Sequence, residues 1–137
     1  MLYRRIRVCG LTIVEDGLFT EYDEYVLERC GKLKLISTAD WPERGGLPQG
    51  YIALYKIGNY YVFTNNDGTD EYVYVISDDM MEAVDTARRI FENYARKYFE
   101  GEERERELRE IKETFDELLE NMRSMYINKE YVTPWFD

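Results

Sequence analysis

The hydrophobic periodicity of this sequence changes near residue 78, and that change limits what the chain can fold into. Before it, three runs rich in Val, Ile and Tyr (residues 51–57, 60–65 and 71–77) are separated by Gly58-Asn59 and by Asn66-Asp67-Gly68. β-Forming runs joined by short turns of this composition are typical of hairpins. The sequence therefore predicts a three-stranded antiparallel meander, and its many tyrosines are expected to pair across the strands.

After residue 78 the apolar residues recur every three or four positions, which is the period of an α-helix buried along one side. The first series is Met80, Val84, Ala87, Phe91, Tyr94 and Tyr98, and the second is Leu108, Ile111, Phe115, Leu118, Met122 and Met125. The two series are in phase, so residues 79–126 could form one helix of about 70 Å. Because Gly101 and Glu105 fall on the shared apolar line, we expect instead a break at Gly101 and two helices.

The first fifty residues predict a smaller set of elements. Residues 2–14 favour one strand with a bulge at Gly10, and residues 32–38 favour another. Between them, apolar residues at positions 19, 22, 26 and 30 have helical spacing, and Thr20 with Asp23 has the pattern of a helix cap. Residues 39–50 hold two prolines and three glycines, so we expect a loop there, with Trp41 at its head.

These patterns together predict one α+β domain over residues 1–137, a length that suits a single domain. It combines a mainly antiparallel sheet of about five strands with one short N-terminal helix and one or two long C-terminal helices over one face. In this division residues 1–77 are mainly β, residues 78–126 are helical, and residues 127–137 form an aromatic tail.

The two cysteines, Cys9 and Cys30, are each followed by glycine. We expect two small buried apolar side chains, with a disulfide bond between them as the alternative. A metal site or a catalytic thiol is the third interpretation, and it is the weakest because the sequence has no histidine to complete either one.

The composition disfavours several classes of function. The absence of histidine rules out Ser-His and Cys-His catalysis as well as histidine-based zinc sites. A formal net charge of −10 argues against direct nucleic-acid binding. No apolar run approaches the roughly 20 residues that span a membrane. We therefore expect no cofactor, no metal, no membrane contact and a cytoplasmic location.

The bias towards Glu and Arg, with a single glutamine and no histidine, is typical of a thermophile or of a virus that infects one. This compositional bias predicts the source of the protein and says nothing about its activity.

The tail holds four apolar residues, Tyr131, Val132, Trp135 and Phe136. Exposed aromatic residues at a chain end are unfavourable, so the tail is expected to pack on its own domain or on another chain. The candidate interface residues are these four together with Leu108, Ile111, Phe115, Leu118 and Met122 of the second helical series.

We expect a non-enzymatic protein–protein interaction module that forms a homodimer. Two alternatives stay open: an acidic inhibitor that mimics nucleic acid in the groove of a nucleic-acid-binding protein, and an enzyme that uses carboxylates or a metal ion.

Overall fold

Seven strands and three helices follow one another along residues 1–127, the part of the chain that this computed structural model describes; its side chains are described through residue 122. In chain order the elements are β1 (Leu2–Tyr3), β2 (Arg5–Val8), β3 (Leu11–Val14), α1 (Glu21–Arg29), β4 (Leu33–Asp40), β5 (Tyr51–Ile57), β6 (Tyr60–Asn66), β7 (Glu71–Ser77), α2 (Met80–Tyr98) and α3 (Gly101–Ile127). The α+β class that the sequence predicts is confirmed.

The main sheet is antiparallel and has five strands in the order β1-β7-β6-β5-β4. Its centre is the predicted meander, in which Ile57 pairs with Tyr60 across the first turn and Asn66 pairs with Glu71 across the second. Gly58 has a φ of 61°, the left-handed conformation that the first position of a type II′ turn requires. Turn chemistry thus sets the register of the meander.

Alternate side chains of the meander point to opposite faces, and both faces are apolar. The face under α2 and α3 is formed by Ile52, Leu54, Phe63 and Val75. The opposite face is formed by Ala53, Ile57, Val62 and Val73, and the hairpin β2–β3 together with α1 covers it. The sequence predicts the helical cover but not the second one.

The helical part is a hairpin rather than one long helix. α2 ends at Tyr98 and α3 begins at Gly101, so the predicted break is confirmed and the continuous helix is excluded. Phe99 is extended and Gly101 has a φ of 57°, a conformation that glycine adopts without strain.

α3 runs along β4 and is fixed to it by polar contacts. Ser37 Oγ donates a hydrogen bond to the carbonyl of Leu118 at 2.8 Å, and Asn121 Nδ2 donates to the carbonyl of Thr38 at 2.8 Å. Inside this layer, Phe115 stacks on Phe63 with a centroid distance of 5.4 Å. Both contacts are on the second half of α3, so this half of the helix lies over Ser37 and Thr38 in the middle of β4.

The prediction of one strand over residues 2–14 is wrong. β1 pairs with β7, whereas β2 and β3 pair with each other in a separate two-stranded sheet, from Arg5–Val14 to Val8–Leu11. Cys9 and Gly10 both have positive φ, 54° and 80°, and turn the chain back on itself. Gly10 is therefore a turn residue and not a bulge.

The predicted short helix is present, but its buried side is not the predicted one. Thr20 caps α1: its Oγ1 accepts from the Asp23 amide at 3.2 Å, and the Asp23 carboxylate accepts from the Thr20 amide at 2.8 Å. Tyr22, expected inside, is 67% exposed, whereas Leu27 is fully buried. In so short a helix the contact with the sheet decides orientation, and the periodic signal is weak.

Cys9 and Cys30 are joined by a disulfide, with their Cα atoms 6.5 Å apart. Both residues are exposed, so the expectation of two small buried side chains is wrong. The bond links the β2–β3 turn to the C-cap of α1, and thereby holds together the two elements that cover the second face of the sheet.

Breaking this disulfide should destabilise the fold, because the bond closes a loop between residues 21 positions apart and so restricts the unfolded chain. We expect reduction, or the double substitution Cys9→Ser and Cys30→Ser, to lower the free energy of unfolding by about 3 kcal/mol in urea titrations. The double variant serves as the control and should not respond to reductant. Equal urea midpoints for oxidised and reduced wild type would contradict the prediction.

Candidate functional site

The helical hairpin leaves a cavity of about 290 Å³ at one end of the sheet, where α2, the first half of α3 and the loop after β4 meet. We call it the aromatic pocket, and its apolar wall includes Trp41, Tyr74, Ile90, Phe91, Tyr94 and Phe99. Its volume is at the lower limit of ligand pockets and suits one large side chain or a small planar molecule.

Phe91 is the central side chain of the pocket. Its ring lies 4.9 Å from the stacked ring of Tyr74, 5.0 Å from Trp41 and 6.0 Å from Phe115 in the core beneath. Aromatic pairs at these separations stabilise one another by about 0.5–1.5 kcal/mol beyond their buried area. The pocket wall is therefore continuous with the hydrophobic core and is held in place by it.

A β-bulge turns Tyr74 towards the pocket. Phe63 pairs with Val75 and Thr64 pairs with Val73, so Tyr74 is the extra residue of β7. Without this insertion, strict alternation would place Tyr74 and Val75 on opposite faces. With it, both side chains belong to the helical face. Bulges of this kind commonly re-aim a side chain beside a functional site.

The loop after β4 closes over the end of the sheet and delivers Trp41. Its indole Nε1 donates to Asn65 Oδ1 at 2.7 Å, and its amide donates to the Gly50 carbonyl at 3.0 Å. A Cβ on Gly50 would lie 2.7 Å from the Asn66 carbonyl oxygen and 3.3 Å from Trp41 Cδ1. Only glycine therefore lets the loop approach the sheet closely enough to hold the indole.

Paired charges form one rim of the pocket. Arg44 donates to Glu107 at 2.9 Å and to Glu110 at 2.6 Å, which ties the loop to α3. The two carboxylates raise the pKa of the Arg44 guanidinium, which stays charged. Because all three charges are engaged with one another, this rim orients the loop more than it attracts a charged ligand.

The opposite rim is exposed and apolar. Tyr94 is 58% exposed and Tyr98 is 60% exposed, and their rings are 4.5 Å apart. Ile90 is also exposed, and together with Tyr74 it lines two further cavities that extend along α2 towards Leu2 and Glu15. The pocket thus adjoins a groove that is apolar near Ile90 and Tyr74 and charged further on, at Arg4, Glu15 and Asp16. Contiguous exposed apolar patches such as this rim are typical of interaction surfaces.

The predicted interface residues on α3 are core residues in the structure. Ile111, Phe115, Leu118 and Met122 are buried against the sheet of their own chain, and Leu108 is partly buried beside them. The fold already covers this apolar seam, so it is not an exposed face for a partner. Of the five, Ile111 also borders the aromatic pocket. The other predicted interface residues, Tyr131, Val132, Trp135 and Phe136, lie outside the described residues.

Sequence reasoning missed the residues of the pocket itself. Phe91, Tyr94 and Tyr98 fit the helical period and were expected in the core, but α2 buries Ala83 and Ala95 and leaves the two tyrosines exposed. The sequence did contain one signal of this exposure, since the first helical series ends in two tyrosines, Tyr94 and Tyr98, rather than in aliphatic residues. Trp41 gave none, because its position depends on how the loop closes.

A second cavity, of about 360 Å³, lies on the opposite side of the sheet and is lined by carboxylates. Glu71 is buried and accepts hydrogen bonds from Tyr51 Oη and Thr64 Oγ1, both at 2.7 Å. Burial, followed by the neighbouring charge of Glu71, raises the pKa of the Glu24 carboxyl. Burial and the bond to Glu71 raise the pKa of Tyr51 to about 12. Tyr51 therefore remains a hydrogen-bond donor to Glu71 at neutral pH.

The hydrogen bonds of this carboxylate network are made within the protein, and they join β5, β6 and β7. Within the described chain, no buried side-chain nitrogen or oxygen lacks a hydrogen-bond partner. Among residues 1–122, no group of three or more Cys, Asp or Glu side chains is placed to hold a metal ion.

Comparison with known proteins finds no match: no family model, no curated protein and no solved structure is detectably similar to this chain. None of the helices within residues 1–127 is long and apolar enough to cross a membrane. The arguments about function therefore depend on the geometry of the molecule.

The raised pKa of Glu24 predicts a pH effect on stability. The Glu24 carboxyl has a higher pKa in the folded state than in the unfolded state. The free energy of unfolding therefore falls as pH rises through the interval between these two pKa values. We expect Glu24→Gln to be more stable than wild type in urea titrations at pH 7, and this advantage to vanish below about pH 4.

Glu21→Gln is the matched control, because Glu21 lies in the same first turn of α1 and is exposed. Both substitutions remove one favourable charge from the helix N-terminus. The prediction is contradicted if the two variants have the same stability relative to wild type at pH 7.

Proposed function

We propose that this protein is a non-enzymatic protein-binding module, and that the aromatic pocket receives an apolar side chain of a partner chain. The observation that carries the proposal is the exposed aromatic rim beside a preformed apolar pocket. Tyr94 and Ile90 border a cavity whose wall is packed on the core, and the exposed ring of Tyr98 lies 4.5 Å from that of Tyr94.

The chemistry of the pocket favours binding over catalysis. Its wall is aromatic and aliphatic, and its charged residues, Arg44, Glu107 and Glu110, bond to one another. Aromatic residues and arginine are enriched at the centres of protein interfaces, where a few anchors in dry pockets carry most of the binding free energy.

The shape of the pocket favours a polypeptide over a small molecule. The pocket, of about 290 Å³, has room for one large side chain, and the rest of a chain can then lie over Tyr94 and Ile90 and along the adjoining groove. A small molecule in the pocket would leave this apolar rim in water. A partner chain covers both surfaces at once, which favours association.

The acidic-mimic alternative has weaker support. The net charge of −10 is consistent with it, but the acidic residues of α3 are interleaved with Arg104, Arg106, Arg109 and Lys112. Lys112 pairs with Asp116 at 2.7 Å, and Arg44 pairs with two further glutamates and offsets one of their two charges. The surface of α3 is thus mixed in sign, whereas a nucleic-acid mimic needs a continuous negative field.

A peptide-selection experiment tests the proposal. Full-length protein is immobilised at low density, so that chains do not meet, and random peptides displayed on phage are selected on it. We expect the selected peptides to share an aromatic anchor. Tyr94→Ala should weaken their binding by about three- to tenfold in calorimetry, since it removes one aromatic contact.

Tyr22→Ala is the control, because Tyr22 is similarly exposed but lies on α1 over the other face of the sheet. It should leave peptide binding unchanged. Selected peptides without aromatic residues, or equal effects of the two substitutions, would overturn the proposal.

A further inference from the structure

We propose that the partner segment is Tyr131–Phe136 of a second copy of this chain, so that two copies exchange their tails into each other's aromatic pockets. This inference depends on the proposed function, since it names the occupant of the same pocket. It also names the residues through which the expected homodimer would form.

The chemistry of the tail matches the pocket. Residues 131–136 read Tyr-Val-Thr-Pro-Trp-Phe and contain no charged residue. Pro134 disfavours a helical conformation for the residue before it, so an extended approach to the Trp-Phe pair is favoured. A Trp or Phe ring can pack against Phe91 and Tyr94 in the way that Tyr74 stacks on Phe91 and Trp41 packs against it at a tilt.

The direction of α3 argues against docking within one chain. Glu107 and Glu110 lie at the pocket through Arg44, whereas Leu118 and Asn121 lie against Ser37 and Thr38, further back along β4. The residues of α3 that line the pocket, Glu107, Glu110 and Ile111, are all in its first half, so the end of the helix is distant from the pocket. Sixteen helical positions separate Ile111, which borders the pocket, from Ile127, a distance of about 24 Å.

The tail has little spare length for that return. The eight residues from Ile127 to Trp135 span about 26–29 Å only when fully extended and straight. A path that follows the surface of α3 is longer than a straight line. A second copy, placed with its α3 antiparallel to the first, brings the end of its helix beside the pocket and removes this limit.

Twofold symmetry makes the exchange reciprocal, because each copy offers one tail and one pocket. Three aromatic side chains per tail would bury about 900–1,500 Å² on the two tails together, at 150–250 Å² per ring. With one ring in the pocket and the others along the groove, full burial of all three would approach the total of a standard protein–protein interface.

Solution mass by light scattering, measured on full-length chains, tests the exchange. Wild type should have about twice the 16.5 kDa of one chain. The tail variant, with Trp135→Ala and Phe136→Ala, should be monomeric. The pocket variant, with Ile90→Ser and Tyr94→Ala, should also be monomeric, and both should keep the circular dichroism spectrum of wild type because the pocket substitutions are at exposed positions.

Mixing the two variants separates exchange from docking within one chain. The mixture holds intact pockets on one variant and intact tails on the other, so mass should rise towards the dimer with increasing concentration, though less tightly than wild type. Tyr22→Ala, the surface control, should remain dimeric. A monomeric wild type, a dimeric tail variant, or a mixture that stays monomeric at several hundred micromolar would overturn the inference.

The same variants distinguish failure of the exchange from failure of the binding module. If the tail variant stays dimeric but still binds the selected aromatic peptides, the exchange is wrong and the pocket remains a binding site. If neither wild type nor the tail variant binds them, the proposed function fails as well.

Discussion

A β-sheet that is apolar on both faces must be covered on both, and this requirement organises the molecule. Phe63 and Leu54 face the helical hairpin, whereas Val62 and Ala53 on the same strands face α1 and the β2–β3 hairpin. Each face is covered by a pair of elements, and a short connection or a covalent bond holds the two members of each pair together. α2 and α3 are joined through Gly101, and the hairpin is bonded to α1 by Cys9–Cys30.

The aromatic pocket arises because the helical cover stops short of the end of the sheet. α2 buries Ala83 and Ala87 in its first half, and such small residues allow close packing. Towards its C-terminus the helix presents larger rings, Phe91 inside and Tyr94 outside. The loop headed by Trp41 and the bulge at Tyr74 complete the wall. The pocket thus joins sheet, helix and loop, which explains why its shape is preformed.

The sequence predicts those elements whose signals are local. The meander, the Thr20 cap and the break at Gly101 follow from turn chemistry, capping residues and hydrophobic period. All three are present in the structure. The predicted seam from Ile111 to Met122 is buried, but it serves the core of its own chain and not an interface.

The features that the sequence does not predict depend on tertiary packing. Residues 2–14 are rich in β-forming residues, yet the positive φ of Cys9 and Gly10 divides them into a hairpin. A bulge moves Tyr74 to the helical face, and loop closure brings Trp41 to Phe91. Periodicity places Tyr94 inside, whereas packing leaves it exposed. The pocket consists mainly of such residues, so it becomes visible only in three dimensions.

The central claim is that the aromatic rim of α2 is covered when copies of the protein meet. Hydroxyl-radical footprinting by mass spectrometry, performed across a range of protein concentrations, tests it most directly. Tyr94 and Tyr22 are 58% and 67% exposed in the single chain, so they should be oxidised at similar rates when the protein is dilute. The account predicts that oxidation of Tyr94 falls as concentration rises while that of Tyr22 does not change. Equal oxidation of the two tyrosines at every concentration would contradict it.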